Sequence, residues 1–338
     1  LIRGMLGQPS HLELRRQLAS GEVLGPRLVT SGPSFNGNSV TGPAQAAAMV
    51  REQFEAGYDF LKIHPGLSLA EFQAIARAAN ELGIPFAGHV PEDVSVEQAI
   101  EAGIATIDHL DGYMASLIDA NDDPTGGYGG FFGVYLAGFA DESRINGIAA
   151  ATAAKGVWNV PTETLFEQWV SEETPERLAG RAEMKYMPAG VVQNWKETKQ
   201  ETLRDAQYDP DVVARAIELR RKFILALHQS GAGLLLGSDA PQVFNVPGFS
   251  IHRELALIVE SGLSPYEALQ TGTVYPATFL DIEDRVGTVQ VGLDADLILL
   301  DGNPLEDIAN SRRVHGVMLQ GRWLSRQDLD RMLKSFAR

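Results

Sequence analysis

With 338 residues and a mass of 36.6 kDa, the chain has room for one large domain or two medium ones, because a single core stops growing near ~250–300 residues. An apolar share of 44% against 21% charged residues excludes bulk disorder, and a net charge of −16 excludes a general nucleic-acid binder, which needs a basic face against phosphate. Cysteine is absent, which removes disulfides, zinc fingers, iron–sulfur clusters and thiol nucleophiles, and no apolar run approaches the ~20 residues of a membrane span.

The chain opens on the strand-like stub Leu1-Ile2-Arg3 rather than on Met. Ser10-His11-Leu12-Glu13 then has the form of a capping box, with His11 on a solvent-facing helix. From residue 25 to about residue 240 a β-rich run, a turn and a helical run alternate. Strands are predicted over residues 25–31, 58–64, 84–90, 105–110, 156–161 and 232–238. Helices between them carry capping boxes at Ser68-Leu69-Ala70-Glu71 and Ser95-Val96-Glu97-Gln98. The first of these helices buries Phe72, Ile75, Ala76, Ala79 and Leu82 at 3–4-residue spacing and stops at Gly83. Continuous rather than alternating apolar runs suit strands covered on both faces, hence a parallel sheet in a doubly wound fold or a (β/α)₈ barrel. With the stub, seven strands are predicted, one short of a closed barrel.

Two longer segments interrupt the rhythm. Residues 111–140 include the glycine-rich, aromatic run Gly126 to Gly133, and residues 163–209 are polar and helical. Both follow strand ends, where α/β barrels keep their active sites, and are expected to form a lid or substrate wall. Ser264-Pro265-Tyr266-Glu267 is a further cap. Beyond it the texture turns β-rich: Gly287 to Gly292, Ala295 to Leu300 and Val314 to Leu324 read as strands with too few partners for a core of their own. The predicted units are a barrel over 1–284, part of a small β-sandwich domain over 285–325 and a helix over 326–338.

Chemistry concentrates at strand ends. Lys62 lies in Phe60-Leu61-Lys62-Ile63-His64, His89 in Gly88-His89-Val90-Pro91, His109 in Ile107-Asp108-His109-Leu110 and Asp239 in Gly237-Ser238-Asp239-Ala240-Pro241. Successive strand ends of a parallel barrel converge on one mouth. Two imidazoles and a carboxylate there suit zinc, manganese or a similar divalent ion. A lysine beside them makes sense if it is carboxylated, because the carbamate is anionic and can bridge two metals. No Gly-x-Ser-x-Gly nucleophile elbow or dinucleotide-binding glycine loop is present. His64 shares the direction of Lys62 on its strand and is a candidate substrate-binding residue, as are Tyr113 and His252; His228 and His315 read as ordinary structural histidines.

These motifs, with Asp59 to His64, Thr106 to Leu110 and the Gly287-Thr288-Val289 … Gly292-Leu293-Asp294-Ala295-Asp296-Leu297 run, make the chain resemble the amidohydrolase superfamily over nearly all its length, in the branch of imidazolonepropionase and metal-dependent dipeptidases. The resemblance implies a TIM-type barrel with a bridging carbamylated Lys62, His89 and His109 on the second metal, and Asp239 on the first. It also implies a metal-activated water attacking an amide carbonyl of a peptide-like or N-acyl-amino-acid substrate, with Asp239 as general base and acid.

The family's first strand carries a His-x-His pair, and none occurs here. The expectation is therefore a barrel lacking its first strand, with half of the composite β-domain. Zinc is the expected metal: two ions in a complete family member, with a full ligand set here for one. An open sheet edge would need cover from a second subunit, a separate N-terminal fragment or self-association, so a homo-oligomer is expected. Two alternatives stand beside the hydrolase: a mononuclear deaminase of the same superfamily, and a truncated, inactive binding protein.

Overall fold

Parallel pairing follows from the alternation of short apolar strands with amphipathic helices. The computed structural model describes residues 1–119 and 129–337. Its first half runs β1 (Ile2–Gly4), α1 (Pro9–Ser20), β2 (Leu28–Thr30), α2 (Pro43–Ala56), β3 (Leu61–Ile63), α3 (Leu69–Leu82), β4 (Phe86–Gly88), α4 (Val96–Glu101), β5 (Thr106–Asp108) and α5 (Tyr113–Ser116). After a 3₁₀ segment over Phe131–Phe139 come α6 (Ile145–Ala154), β6 (Trp158–Val160), α7 (Glu163–Val170), α8 (Pro175–Ala179), α9 (Ala189–Arg204) and α10 (Pro210–Gln229). The chain ends with α11 (Ser250–Glu260), α12 (Pro265–Gln270), α13 (Val274–Phe279), β7 (Leu297–Leu300), β8 (Val314–Leu319), β9 (Arg322–Ser325) and α14 (Arg326–Phe336).

β1 pairs with β2, and β3-β4-β5-β6 form a continuous parallel sheet. Single parallel bridges, Ser31 to Phe60 and Asn159 to Leu234, join β2 to β3 and β6 to the run ending at Asp239. The seven predicted strand positions thus form one arc. Among the described residues no ladder closes it; on the far edge of the last run, the Leu236 N–H donates to the Thr271 carbonyl. The strands are shorter than the sequence suggests, and residues 232–238 form a bridge rather than a ladder. The Ser68, Ser95 and Ser264 capping boxes are all formed. The Ser10 box is not: Pro9 occupies the first helical turn, which its fixed φ favours, and Gln8 becomes the cap, so Ser10 falls inside the helix.

The main core gathers Leu61, Ile63, Phe72, Phe86, Ile107 and Phe223 from strands and helices. A second, small core of Leu178, Met184, Trp195, Val243, Phe244 and Val246 seats the 163–209 insertion on the loop after Asp239. That packing places both of its partners beside the strand ends. Of the glycine-rich run, Gly126, Gly127 and Tyr128 lie outside the described residues.

The C-terminal sheet is antiparallel in the order β7-β8-β9. Gly287 to Gly292, predicted as a strand, is irregular instead: among the described residues no neighbouring strand offers it a ladder, and strand propensity without a partner leaves backbone groups unpaired. Arg27 ties this sheet to the barrel strands through Asp294 at 2.7 Å and through Asp296.

Candidate active site

β3 delivers Lys62 inward, and a side chain this long and this buried needs a counter-charge. Its amine donates to the Asp108 carboxylate at 2.9 Å, with Lys62 2% exposed. Gly88 makes room for it: a Cβ there would lie 2.8 Å from the Lys62 Cδ and 2.4 Å from the Ile63 carbonyl, and φ is +129°. Asp108 also accepts from the Thr106 hydroxyl at 2.8 Å and from Arg3 at 3.3 Å. Burial pushes its carboxyl up, but the charges of Lys62 and Arg3 outweigh that and hold it ionised, well below the usual carboxylate range.

Three imidazoles gather above this ion pair. The rings of His64 and His89 lie 4.9 Å apart, and those of His89 and His109 4.7 Å apart. His89 Nδ1 meets Asp111 Oδ2 at 2.9 Å, and His109 Nδ1 meets Thr162 Oγ1 at 2.8 Å. Both tethers use Nδ1, which leaves Nε2 as the atom turned to other partners. Burial depresses the His109 pKa well below 6.5, with the His89 charge adding to the effect, so the ring is neutral. Burial and the neighbouring Lys62 charge lower His64 to about 3, and its buried Nδ1 has no partner among the described residues. Phe132 stacks on His109 at 5.0 Å, and Phe131 stacks on Trp169 at 4.1 Å, forming an aromatic wall over the rings.

Asp239 ends the last strand run within electrostatic reach of Lys62, Asp108 and His89, and burial raises its pKa. Backbone strain collects here. His109, Leu110, Thr162 and Asp239 all have φ between +50° and +64°, a region that costs non-glycine residues about 1–3 kcal/mol each.

Lys62, His64, His89, His109 and Asp239 are thus brought together, and two predicted residues are not. Tyr113 is 1% exposed, with its hydroxyl donating to Asn159 Oδ1 at 2.8 Å and lying 3.1 Å from Thr152 Oγ1; it packs on Phe223 in the core because α5 turns its apolar face inward. His252, near the start of α11, contacts Ser311 of the C-terminal segment at 3.0 Å. Sequence reading passed over Asp108, Arg3, Asp111, Thr162, Arg220, Glu163 and Glu254. Of these, Asp108 carried a signal, because it shares the inward face of Thr106 one residue before His109.

The donor chemistry fits a divalent cation: two imidazoles held through Nδ1 by outer partners, and a half-buried carboxylate, are what such an ion takes. As the side chains stand, no group of three or more His, Asp or Glu among the described residues is close enough to hold one.

Behind the site, Glu254 accepts from the backbone N–H groups of Glu163 at 2.9 Å and Thr164 at 2.7 Å, where α7 begins. Burial pushes its pKa up to about 8 against those two bonds. The folded state therefore keeps a proton that the unfolded chain releases near ~4.3, and stability falls as pH rises from there through 8. Glu254→Gln is expected to flatten that decline in urea denaturation run between about pH 5 and 8; a slope equal to the parent's would refute the assignment.

The fold and its residues have counterparts. The sequence model described as "Amidohydrolase family" matches residues 2–324. Solved structures with the same fold include a bottromycin amidohydrolase (23% identity, TM-score 0.72, covering 99% of this chain and 74% of that one) and a putative prolidase from Bifidobacterium longum (23%, 0.64, 99% and 76%). A Xaa-Pro dipeptidase with methionine bound in its active site is another (21%, 0.62, 96% and 74%). No curated protein sequence matches. At these identities the structures establish the fold alone, an α/β arrangement matching that of the amidohydrolase barrel enzymes. With its match extending over almost the whole length, the chain belongs to the amidohydrolase family.

Proposed function

We propose that this chain hydrolyses amide C–N bonds in small peptide-like or N-acyl-amino-acid substrates with the help of a divalent cation, zinc foremost. One observation carries the reading: in an amidohydrolase family member, His89, His109 and Asp239 gather around Lys62 at the ends of β4, β5 and the last strand run. The prolidase and dipeptidase titles of its structural relatives support a peptide-like substrate.

His89 and His109 would hold the ion through Nε2, and Asp239 through its carboxylate. Bound there, the cation supplies Lewis acidity and a water whose pKa falls toward ~7. Asp111 and Thr162 aim the two imidazoles, because each occupies the opposite ring nitrogen. Asp239 accepts the proton of the attacking water and delivers it to the departing amide nitrogen. His64, stacked on His89, would meet the substrate, and the Phe131, Phe132 and Trp169 wall would shield the reacting face from water.

Lys62 joins this set as an anion if it is carboxylated. A one-ion reading, deaminase included, is favoured by its contact with Asp108, an ammonium–carboxylate pair that carboxylation would abolish. Intact mass of gently purified protein separates the two, since carboxylation adds the mass of carbon dioxide.

The test of the main reading is amine release from a panel of dipeptides and N-acyl amino acids with added zinc or manganese. Release should vanish on chelation and return with metal. His89→Ala and His109→Ala should each lower bound metal. Metal retention by both variants, or no release from any substrate with metal bound, would overturn it and leave the inactive binding protein.

A further inference from the structure

We propose that Arg220 is a positioning residue for His109, its guanidinium clamping the main chain at the ends of β5 and β6 so that the imidazole presents Nε2 to the mouth. The proposal rests on the reading of His109 as a metal-holding residue.

Arg220 lies on α10, 111 residues from His109 in sequence and 2% exposed. Its fork makes three separate bonds. Nη1 donates to the His109 carbonyl at 2.8 Å, Nη2 to the Pro161 carbonyl at 3.1 Å, and Nε to Glu163 Oε2 at 2.8 Å. Its face lies over the Phe166 ring at 4.1 Å. The two carbonyls belong to the adjoining strand ends that also share the His109 N–H to Val160 bond at 2.7 Å and the His109 ring to Thr162 bond. Main chain, side chain and neighbouring strand are therefore held from three directions at one residue.

Such holding is needed, because His109 and Leu110 have φ of +64° and +50°. Left-handed geometry at two successive non-glycine residues persists only where the surroundings over-determine it. The anchor is itself anchored. Glu163 is fully buried, its Oε1 lacks a partner among the described residues, and Glu254 fixes its backbone N–H. Filling this space with an apolar side chain would avoid burying two charges and an unpaired oxygen. What an apolar residue could not supply is a rigid planar fork reaching three acceptors in three segments, which distinguishes arginine from lysine as well.

Cobalt(II), added to metal-free protein, gives both an affinity and a visible spectrum that reports ligand geometry. The arms are the parent, His109→Ala, Arg220→Gln and Arg220→Lys, each checked for folding by circular dichroism. Arg220→Lys keeps the charge opposite Glu163 but loses the fork. Cobalt affinity is expected to fall by about 10–100-fold in both Arg220 variants, the range for outer partners of metal ligands, with a changed visible band. If Arg220 served only to neutralise Glu163, Arg220→Lys would bind cobalt with parental affinity and spectrum. That result, with His109→Ala impaired, overturns the clamp alone. Parental binding in His109→Ala overturns the ligand reading and the clamp with it. Should Arg220→Gln not fold, Glu163→Gln takes its place and is expected to weaken cobalt binding by unseating the fork; parental binding there counts against the proposal.

Discussion

Asp239→Asn should lower kcat for amide hydrolysis by about 10²–10⁴-fold, the usual weight of a positioned acid–base group. The amide is isosteric with the carboxylate, so packing at the end of the last strand run is kept, but it can neither take a proton from water nor return one to the leaving nitrogen. The effect belongs in kcat as well as kcat/KM, because proton transfer matters in the transition state and not in substrate binding. Steady-state kinetics at saturating zinc, with metal content measured on the same samples, checks it. Equal kcat at equal metal content would remove Asp239 from the mechanism.

Asp108→Ala should cost about 3–5 kcal/mol of stability, because it strands the Lys62 ammonium in a buried position without its carboxylate. The side chains of the pair are only 2% and 4% exposed, and Arg3, at 3.3 Å, loses the same partner. Urea denaturation gives the loss, and combining Lys62→Met with Asp108→Leu should recover most of it, since an apolar pair needs no counter-charge. The sign is informative. Were Lys62 carboxylated, Asp108 would face a like charge, and Asp108→Ala would be neutral or stabilising. The denaturation midpoint thus reports the state of Lys62 independently of its mass.

The strand-end residues were legible because each sits in a short motif whose position follows from local rules: an apolar run, one polar residue at its end, a turn and a capped helix. That logic located Lys62, His89, His109 and Asp239, which the fold then gathers. It failed wherever the answer depended on a partner. Ser10 looked like a cap, yet Pro9 one residue earlier took the first turn. Gly287 to Gly292 looked like a strand, and the described residues hold no ladder for it. Tyr113 follows His109 closely in sequence, but α5 rotates it into the core against Phe223, and proximity along the chain said nothing of that rotation.

By itself, then, the sequence determined the order of the β/α units and the chemical types placed at their ends, because side-chain periods, caps and turns are short-range properties. Only the tertiary structure decided how those ends are held. Asp108 meets Lys62 across 46 residues and Arg220 meets His109 across 111, and such contacts are selected by packing and by the cost of burying an unpaired charge. No local pattern records that cost. The residues proposed to do the chemistry could be read from one strand at a time, whereas those that aim them emerged only when the strands stood side by side.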